Sequence, residues 1–189
     1  MIIPKPQPDE IVFGYRGRIK VLNLYKKNAE LMADLRNKLG DPELVSAKST
    51  ARTLALASGV PIDQFVRLHS LLPLFRALPW DDIHVLHGDP SRPDLIDAFG
   101  SKPWAKTGVR FCAECIREDM DYWGFAYWRR IHQLPGIHAC YKHGLQLASC
   151  TLGKIAFDDM PRMDSSIYYQ LLIRPLNRRV KQHRPPWDV

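Results

Sequence analysis

Three cysteines and one histidine constrain this chain more than any other feature of its sequence. Cys112 and Cys115 form a C-x2-C pair, and Cys140 and His143 form a C-x2-H pair after 24 intervening residues. This spacing is typical of a tetrahedral Zn²⁺ site, because each close pair makes a tight turn that presents two ligands. Four protein ligands leave no coordination position for water, so the sequence predicts one structural zinc. Cys150 stands outside the pattern and is expected to be a free buried thiol.

Other histidines are weaker candidates for the metal. His138 precedes Cys140 by two residues and is a rival ligand, but the C-x2-H spacing favours His143. His84 and His87 have no cysteine or carboxylate pair at matching spacing. The alternative to a metal site is a set of four unrelated core or polar residues, which the placement of three of the four cysteines disfavours.

Length and charge narrow the class of protein. A chain of 189 residues can hold one or two compact domains. Its N-terminus has no apolar core of signal-peptide length, and no run of about 18 apolar residues occurs, so no membrane partner is expected. Cysteines without a secretory signal favour a reducing compartment and metal ligation over disulfides. The net charge of +7 and the pI of about 9.3 favour a polyanionic partner.

The first predicted domain, residues 1–75, is helical. Asp9 is a candidate N-cap of a first helix, with Glu10 in its first turn. A second helix is predicted from Asn28 to Leu39, because its apolar residues recur at helical spacing and Gly40 follows as a C-terminal cap.

The stretch Ala51 to Leu72 has the residue pattern of a helix-turn-helix unit, with Gly59 in the turn. A plain helical hairpin gives the same periodicity and stays open as the alternative. If the second helix contacts DNA, Gln64 and Arg67 are its candidate donors, because long polar side chains reach base edges and phosphates.

Residues 76–108 are predicted to be a connector with a short helix at 93–99, and residues 109–150 a zinc-finger module. Within the module, one helix is predicted from Tyr122 to Leu134. Its aromatic residues are expected to supply the core of a small metal domain, and a contact with a partner or with bases is the alternative. The candidate partner-binding residues are Tyr122, Trp123 and Phe125. Arg129 and Arg130 are expected to point away from part of this core and are candidate phosphate contacts.

Residues 151–189 form a basic C-terminal segment. Its candidate nucleic-acid contacts are Arg174, Arg178, Arg179, Lys181 and Arg184. A solvated end is the alternative. The sequence therefore predicts a mainly α protein, in which a helical N-terminal domain with a helix-turn-helix-like unit is followed by a small zinc-finger module.

Between Cys112 and Leu147, the sequence contains a characteristic pattern that includes many residues besides the four predicted metal ligands. The residues of this pattern are Cys112, Cys115, Glu118, Asp119, Tyr127, Trp128, Arg129, His132, Gln133, Pro135, Gly136, Cys140, His143, Gly144 and Leu147. The pattern resembles the TniQ family, the target-selection proteins of bacterial transposons, and PQPDE followed by GYRGRI near the N-terminus supports the resemblance. Long members carry a second cysteine cluster just after the first. This chain has only Cys150 there, so it is either a short member or a fragment of a longer one.

The resemblance implies a non-catalytic adaptor in transposition that recruits an AAA+ ATPase regulator. Such proteins either bind double-stranded DNA at the target site or dock on an RNA-guided CRISPR effector ribonucleoprotein. The sequence has no P-loop, nucleophile elbow or Gly-rich dinucleotide turn, which agrees with a protein that is not an enzyme. Two alternatives stay open: a free-standing zinc-containing DNA-binding regulator, and a pure protein-interaction module. The expected location is the bacterial cytoplasm, in association with the nucleoid, and a homodimer is also open.

Overall fold

The computed structural model describes residues 1–47, 49–73 and 108–150, apart from the side chains of residues 45–47 and 150. This part of the chain is mainly helical, as predicted. Its elements are α1 (Val12–Leu22), α2 (Asn28–Leu39), α3 (Pro42–Ala47), α4 (Thr50–Ser58), α5 (Ile62–His69), β1 (Val109–Phe111), α6 (Ala113–Trp123), a 3-10 helix (Ile131–Gln133) and β2 (Ala148–Cys150).

Several predictions concern other parts of the chain. The connector helix at 93–99, His84, His87, the thiol of Cys150 and the basic segment at 151–189 lie outside the described residues. Among the helices that the structure does describe, none is both long enough and apolar enough to cross a bilayer.

Helix α2 forms where the sequence predicts it, and Gly40 ends it with φ of 65° while its N–H donates to the carbonyl of Arg36. Helices α4 and α5 also follow the prediction. Gly59 lies between them with φ of 72°, and Ser49 caps α4 by accepting a hydrogen bond from the N–H of Arg52 at 3.3 Å. A helical hairpin shares these features, so a DNA-binding helix-turn-helix stays a prediction.

The prediction that Asp9 caps the first helix is wrong. Helix α1 begins two residues beyond Glu10, at Val12, and Asp9 has a left-handed backbone with φ of 60°. Aspartate tolerates this conformation better than most residues. Its carboxylate instead accepts hydrogen bonds from Nε of Arg130 and from the N–H of Ile131, both at 2.9 Å. The Asp9 carboxylate thus binds groups more than a hundred residues away and does not cap the helix.

The prediction of one helix from Tyr122 to Leu134 is also wrong. Helix α6 ends at Trp123, where Gly124 adopts φ of 74°, and the chain then runs without helix until the 3-10 turn. The segment instead runs beside the N-terminal residues: Glu10 forms an isolated bridge with Arg129, and the N–H of Ile11 donates to the carbonyl of Trp128 at 2.9 Å. Pairing of this kind replaced the hydrogen bonds of a continued helix.

One cluster of buried apolar side chains joins α1, α2, α4 and α5 to β1, α6 and Trp128. Trp128 packs closely on α1, where an added Cβ at Gly14 would lie 2.9 Å from its Cβ. Only glycine permits this approach. The predicted division into domains stays a prediction, but the described residues before and after the connector share this core.

Candidate metal centre

Both predicted ligand pairs lie on tight backbone turns. Cys112 follows β1 and is the N-cap of α6, so Cys115 occupies the first turn of that helix. Strand β1 pairs antiparallel with β2, with Phe111 opposite Ala148. In the second pair, the N–H of Gly144 donates to the carbonyl of Cys140 at 2.8 Å, and Gly144 adopts φ of 64°. A turn of this kind brings residues three positions apart to one side.

The four side chains converge on a single point. Nδ1 of His143 lies 3.5, 3.4 and 3.6 Å from the sulfurs of Cys112, Cys115 and Cys140, and the sulfurs of Cys115 and Cys140 are 3.6 Å apart. All four ligand atoms lie within 4.8 Å of one another. A tetrahedral Zn²⁺ with Zn–S bonds of about 2.3 Å separates its ligands by roughly 3.5–3.8 Å. The predicted ligands therefore form one candidate metal-binding group with suitable dimensions.

The charges of the thiols also favour a cation. A hydrogen bond from Cys115 is the main reason that the pKa of Cys112 falls to about 4. The pKa of Cys115 is raised, because its thiol donates that hydrogen bond and is buried. One thiolate thus opposes ionisation of its neighbour. A bound divalent cation would offset the repulsion between neighbouring thiolates. All three sulfurs could then be deprotonated, as metal ligation requires.

Glu118 orients the histidine ligand. Its Oε1 lies 3.1 Å from Nε2 of His143, which leaves Nδ1 facing the sulfurs. Burial lowers the pKa of His143, but the hydrogen bonds with Glu118 and the thiols outweigh it and raise the pKa to about 8. A carboxylate on the far nitrogen of a metal-bound histidine sets the ring orientation. The spacing of Glu118, three residues after Cys115 on the same helix face, is a sequence signal for this role.

Arg129, which was expected to point away from part of the core, forms a largely buried ion pair. Its side chain is 12% exposed and donates two hydrogen bonds to Asp119, at 2.6 and 2.7 Å. Its Cζ lies 4.4 Å from the centre of the Tyr127 ring. A carboxylate buried on α6 needs a counter-charge, and the planar guanidinium matches it with two bonds. A phosphate would have to compete with Asp119 for this arginine.

Arg130 joins the metal module to the helices. Besides its bond to Asp9, its Nη1 donates to the carbonyls of Arg67 and Ser70 at 2.5 and 3.3 Å. Its side chain is 26% exposed. The contact therefore ties the end of α5 to the segment that follows Trp128.

Gln133 and His132 are both buried and lie outside the four-ligand group. Gln133 accepts from the N–H of Arg110 at 3.0 Å and donates to its carbonyl at 2.7 Å, so its side chain joins β1 to the 3-10 helix. Burial lowers the pKa of His132 to about 4, so its ring is neutral. Its Nε2 has no hydrogen-bond partner in the described part of the chain.

The remaining candidate residues lie on two separate surfaces. Gln64 and Arg67 are exposed on one face of α5, and the structure gives the Arg67 side chain no ion-pair partner among the described residues. Tyr122 and Trp123 are 77% and 47% exposed at the end of α6, with ring centroids 4.5 Å apart. Phe125 is half-buried, and Cζ of Arg18 lies 5.0 Å from its ring centre. The Arg18 side chain of α1 therefore covers part of this ring.

Comparison with known families gives one match that covers most of the chain. The TniQ family model matches residues 1–147 of the 189, so the chain belongs to the TniQ family. No curated protein matches it. Membership implies a transposition-associated target-selection protein. It also agrees with the prediction that the chain is not an enzyme, since the family consists of non-catalytic adaptors.

Proposed function

We propose that this TniQ protein is a non-catalytic adaptor that links a transposition target site to an AAA+ ATPase regulator. The target site is bound directly as duplex DNA or through an RNA-guided CRISPR effector. The observation that carries the proposal is the family match, which extends from the first helix through the metal-binding group. An adaptor needs two surfaces in a defined relation, and the shared core around Trp128 supports such a relation.

The metal-binding group is proposed to hold one structural Zn²⁺. Three thiolates and one imidazole suit zinc, and the four protein ligands fill its tetrahedral shell. When bound, the ion supplies a crosslink between α6 and the turn at Cys140. The sulfur atoms form their own small cluster, with Leu147 as the partly buried apolar side chain that packs against it. Metal ligation thus adds a crosslink at the sulfur cluster, while β1, α6 and Trp128 share the main core with the helices.

The target-site surface is proposed to include the exposed face of α5, with the basic C-terminal segment adding phosphate contacts. The exposed rings of Tyr122 and Trp123 are the proposed partner-binding surface, because aromatic side chains are common interface anchors. Phe125, which is half-buried, is proposed to belong to the same surface.

Removing the charge of Arg67 tests direct DNA binding. If α5 contacts phosphate, Arg67→Ala lowers the affinity for duplex DNA of any sequence and reduces the salt slope by about one. Lys38→Ala on α2 is the matched control, because it removes one exposed charge from another helix. Binding of labelled duplex over a salt series measures both effects. Equal losses of duplex affinity in the two variants would show that the protein attracts DNA only through its overall charge. If the wild type does not bind duplex DNA even at low salt, a partner must choose the target.

A transposition assay with the matching transposon tests the adaptor function. Deletion of this protein should abolish or randomise insertion at the preferred site while the transposase remains active. Sequencing of insertion sites gives the readout, and complementation with the wild-type chain is the control. Unchanged site preference, together with no association with the ATPase, would refute the proposal. A free-standing DNA-binding regulator would then be the better account.

A further inference from the structure

The C-terminal end of α5 is held by a residue of the metal module. The last carbonyls of a helix have no partner inside the helix. In α5, the carbonyls of Arg67 and Ser70 accept hydrogen bonds from Nη1 of Arg130, at 2.5 and 3.3 Å. The helix dipole also favours a cation at this end. Arg130 therefore caps α5 from a position 60 or more residues farther along the chain.

Arg130 is fixed in turn by Asp9. Its Nε donates to Oδ1 of Asp9 at 2.9 Å, and its backbone N–H donates to the Asp9 carbonyl at 2.7 Å. The second carboxylate oxygen accepts from the N–H of Ile131 at 2.9 Å. The guanidinium presents its donors in a rigid fork, so Nε and Nη1 bind two different segments at once. A lysine carries one compact ammonium and cannot reproduce both contacts with this geometry.

The preceding residue connects this clamp to the metal-binding group. Arg129 donates two hydrogen bonds to Asp119 on α6, and the first turn of α6 carries Cys115. Two consecutive arginines therefore join the end of α5 to the helix that holds a predicted metal ligand.

Arg67 belongs both to the clamp and to the proposed target-site surface. Its carbonyl accepts from Arg130, while its side chain is exposed on α5 together with that of Gln64. The two side chains are three residues apart and share a helix face. A helix that contacts DNA must present such side chains to the duplex together. Freedom of movement at the end of α5 would therefore weaken the contact, because binding would have to restrict it.

We propose that Arg130 is a positioning residue for target binding, which holds α5 in the orientation that lets Gln64 and Arg67 contact duplex DNA. This inference rests on the proposed target-site surface on α5. The role differs from that of a phosphate contact, since Nε and Nη1 of Arg130 are already bound to Asp9 and to the helix carbonyls. Duplex affinity should then depend on the geometry of the guanidinium and not on its charge alone.

Two substitutions separate positioning from charge. Arg130→Lys keeps the charge but loses the fork, and Asp9→Asn removes a negative charge and one of the two carboxylate acceptors. If Arg130 only attracts phosphate, the first variant should bind duplex DNA as the wild type does, and the second more tightly. If Arg130 positions α5, both variants should bind roughly fivefold more weakly, although neither has lost positive charge. Fluorescence anisotropy of a labelled duplex with the full chain, at one fixed salt concentration, measures the affinities.

Both variants are expected to fold. Asparagine accepts the left-handed backbone of Asp9, and Nδ1 of His69 still donates to the carbonyl of Glu10 at 2.8 Å, which keeps α5 attached. Thermal melts and zinc content are measured for each variant, and binding is measured well below each melting temperature. A residue that only stabilises the fold would lower the melting temperature without changing the affinity of the folded protein.

Each substitution has a matched control on another helix. Arg52→Lys on α4 and Asp34→Asn on α2 make the same chemical changes at surface side chains. Both controls should bind duplex DNA within about twofold of the wild type, as expected of surface substitutions.

Weaker binding by both test variants, with silent controls, supports the positioning role. If Arg130→Lys binds as the wild type does, the inference fails and the proposed function stands. If only Arg130→Lys is weaker and Asp9→Asn binds equally or more tightly, Arg130 contacts DNA directly and the inference is overturned. If the wild type binds no duplex DNA even at low salt, the proposed contact of α5 with DNA and this inference both fail.

Discussion

Replacing Cys115 or Cys140 by serine should abolish stoichiometric zinc binding and unfold at least residues 109–150. Both sulfurs are buried and contribute to the single four-ligand group. Structural zinc contributes on the order of 10–16 kcal/mol to folding in small metal modules, which equals or exceeds the whole stability of an ordinary domain. Elemental analysis of the purified variants and hydrogen exchange over β1, α6 and β2 measure the two losses.

His138→Ala is the matched control for the metal site, because His138 lies two residues from Cys140 and is exposed outside the four-ligand group. It should retain one zinc per chain, whereas His143→Ala should not. Wild-type protein that contains no zinc and keeps its fold would contradict the prediction.

Replacing Arg18 by methionine should cost about 3–5 kcal/mol of folding stability, because it leaves a buried carboxylate without its partner. Arg18 and Glu10 are 1% and 0% exposed, and Arg18 donates to both carboxylate oxygens at 2.8 and 2.6 Å. Urea denaturation of the full chain measures the difference. Arg52→Met is the control, since Arg52 pairs with Glu43 at the surface, and its change should stay within about 0.5 kcal/mol.

The cost of Arg18→Met should depend on pH in a defined direction. Burial raises the pKa of Glu10 above 4.5, and the hydrogen bond and charge of Arg18 act against this rise. Without Arg18 the pKa rises further, so the folded variant retains a proton that the unfolded chain releases above pH 4.5. The destabilisation should therefore grow as the pH rises through the new pKa and shrink toward pH 4.5. A cost that does not change with pH would mean that lost packing, and not the buried charge, explains it.

The sequence alone determined those features that depend on neighbours in the chain. The C-x2-C and C-x2-H pairs identified the candidate ligands, because each close pair is brought together by its own turn. The bounds of α2 and the left-handed turn at Gly40 likewise follow from local periodicity and a residue without a Cβ.

Only the tertiary structure decided how the charged side chains are used. Asp9 could cap a helix, but it accepts from Arg130, 121 residues away, and Arg129 could face a phosphate, but it pairs with Asp119. Likewise, the segment after Trp123 has the periodicity of a helix, yet it pairs with Glu10 and Ile11. In each case several partners compete for the same group, and the partner that binds it lies between 10 and more than 100 residues away. Such a contact contributes free energy only when the segments pack together and exclude water. Local periodicity and residue spacing therefore cannot predict it.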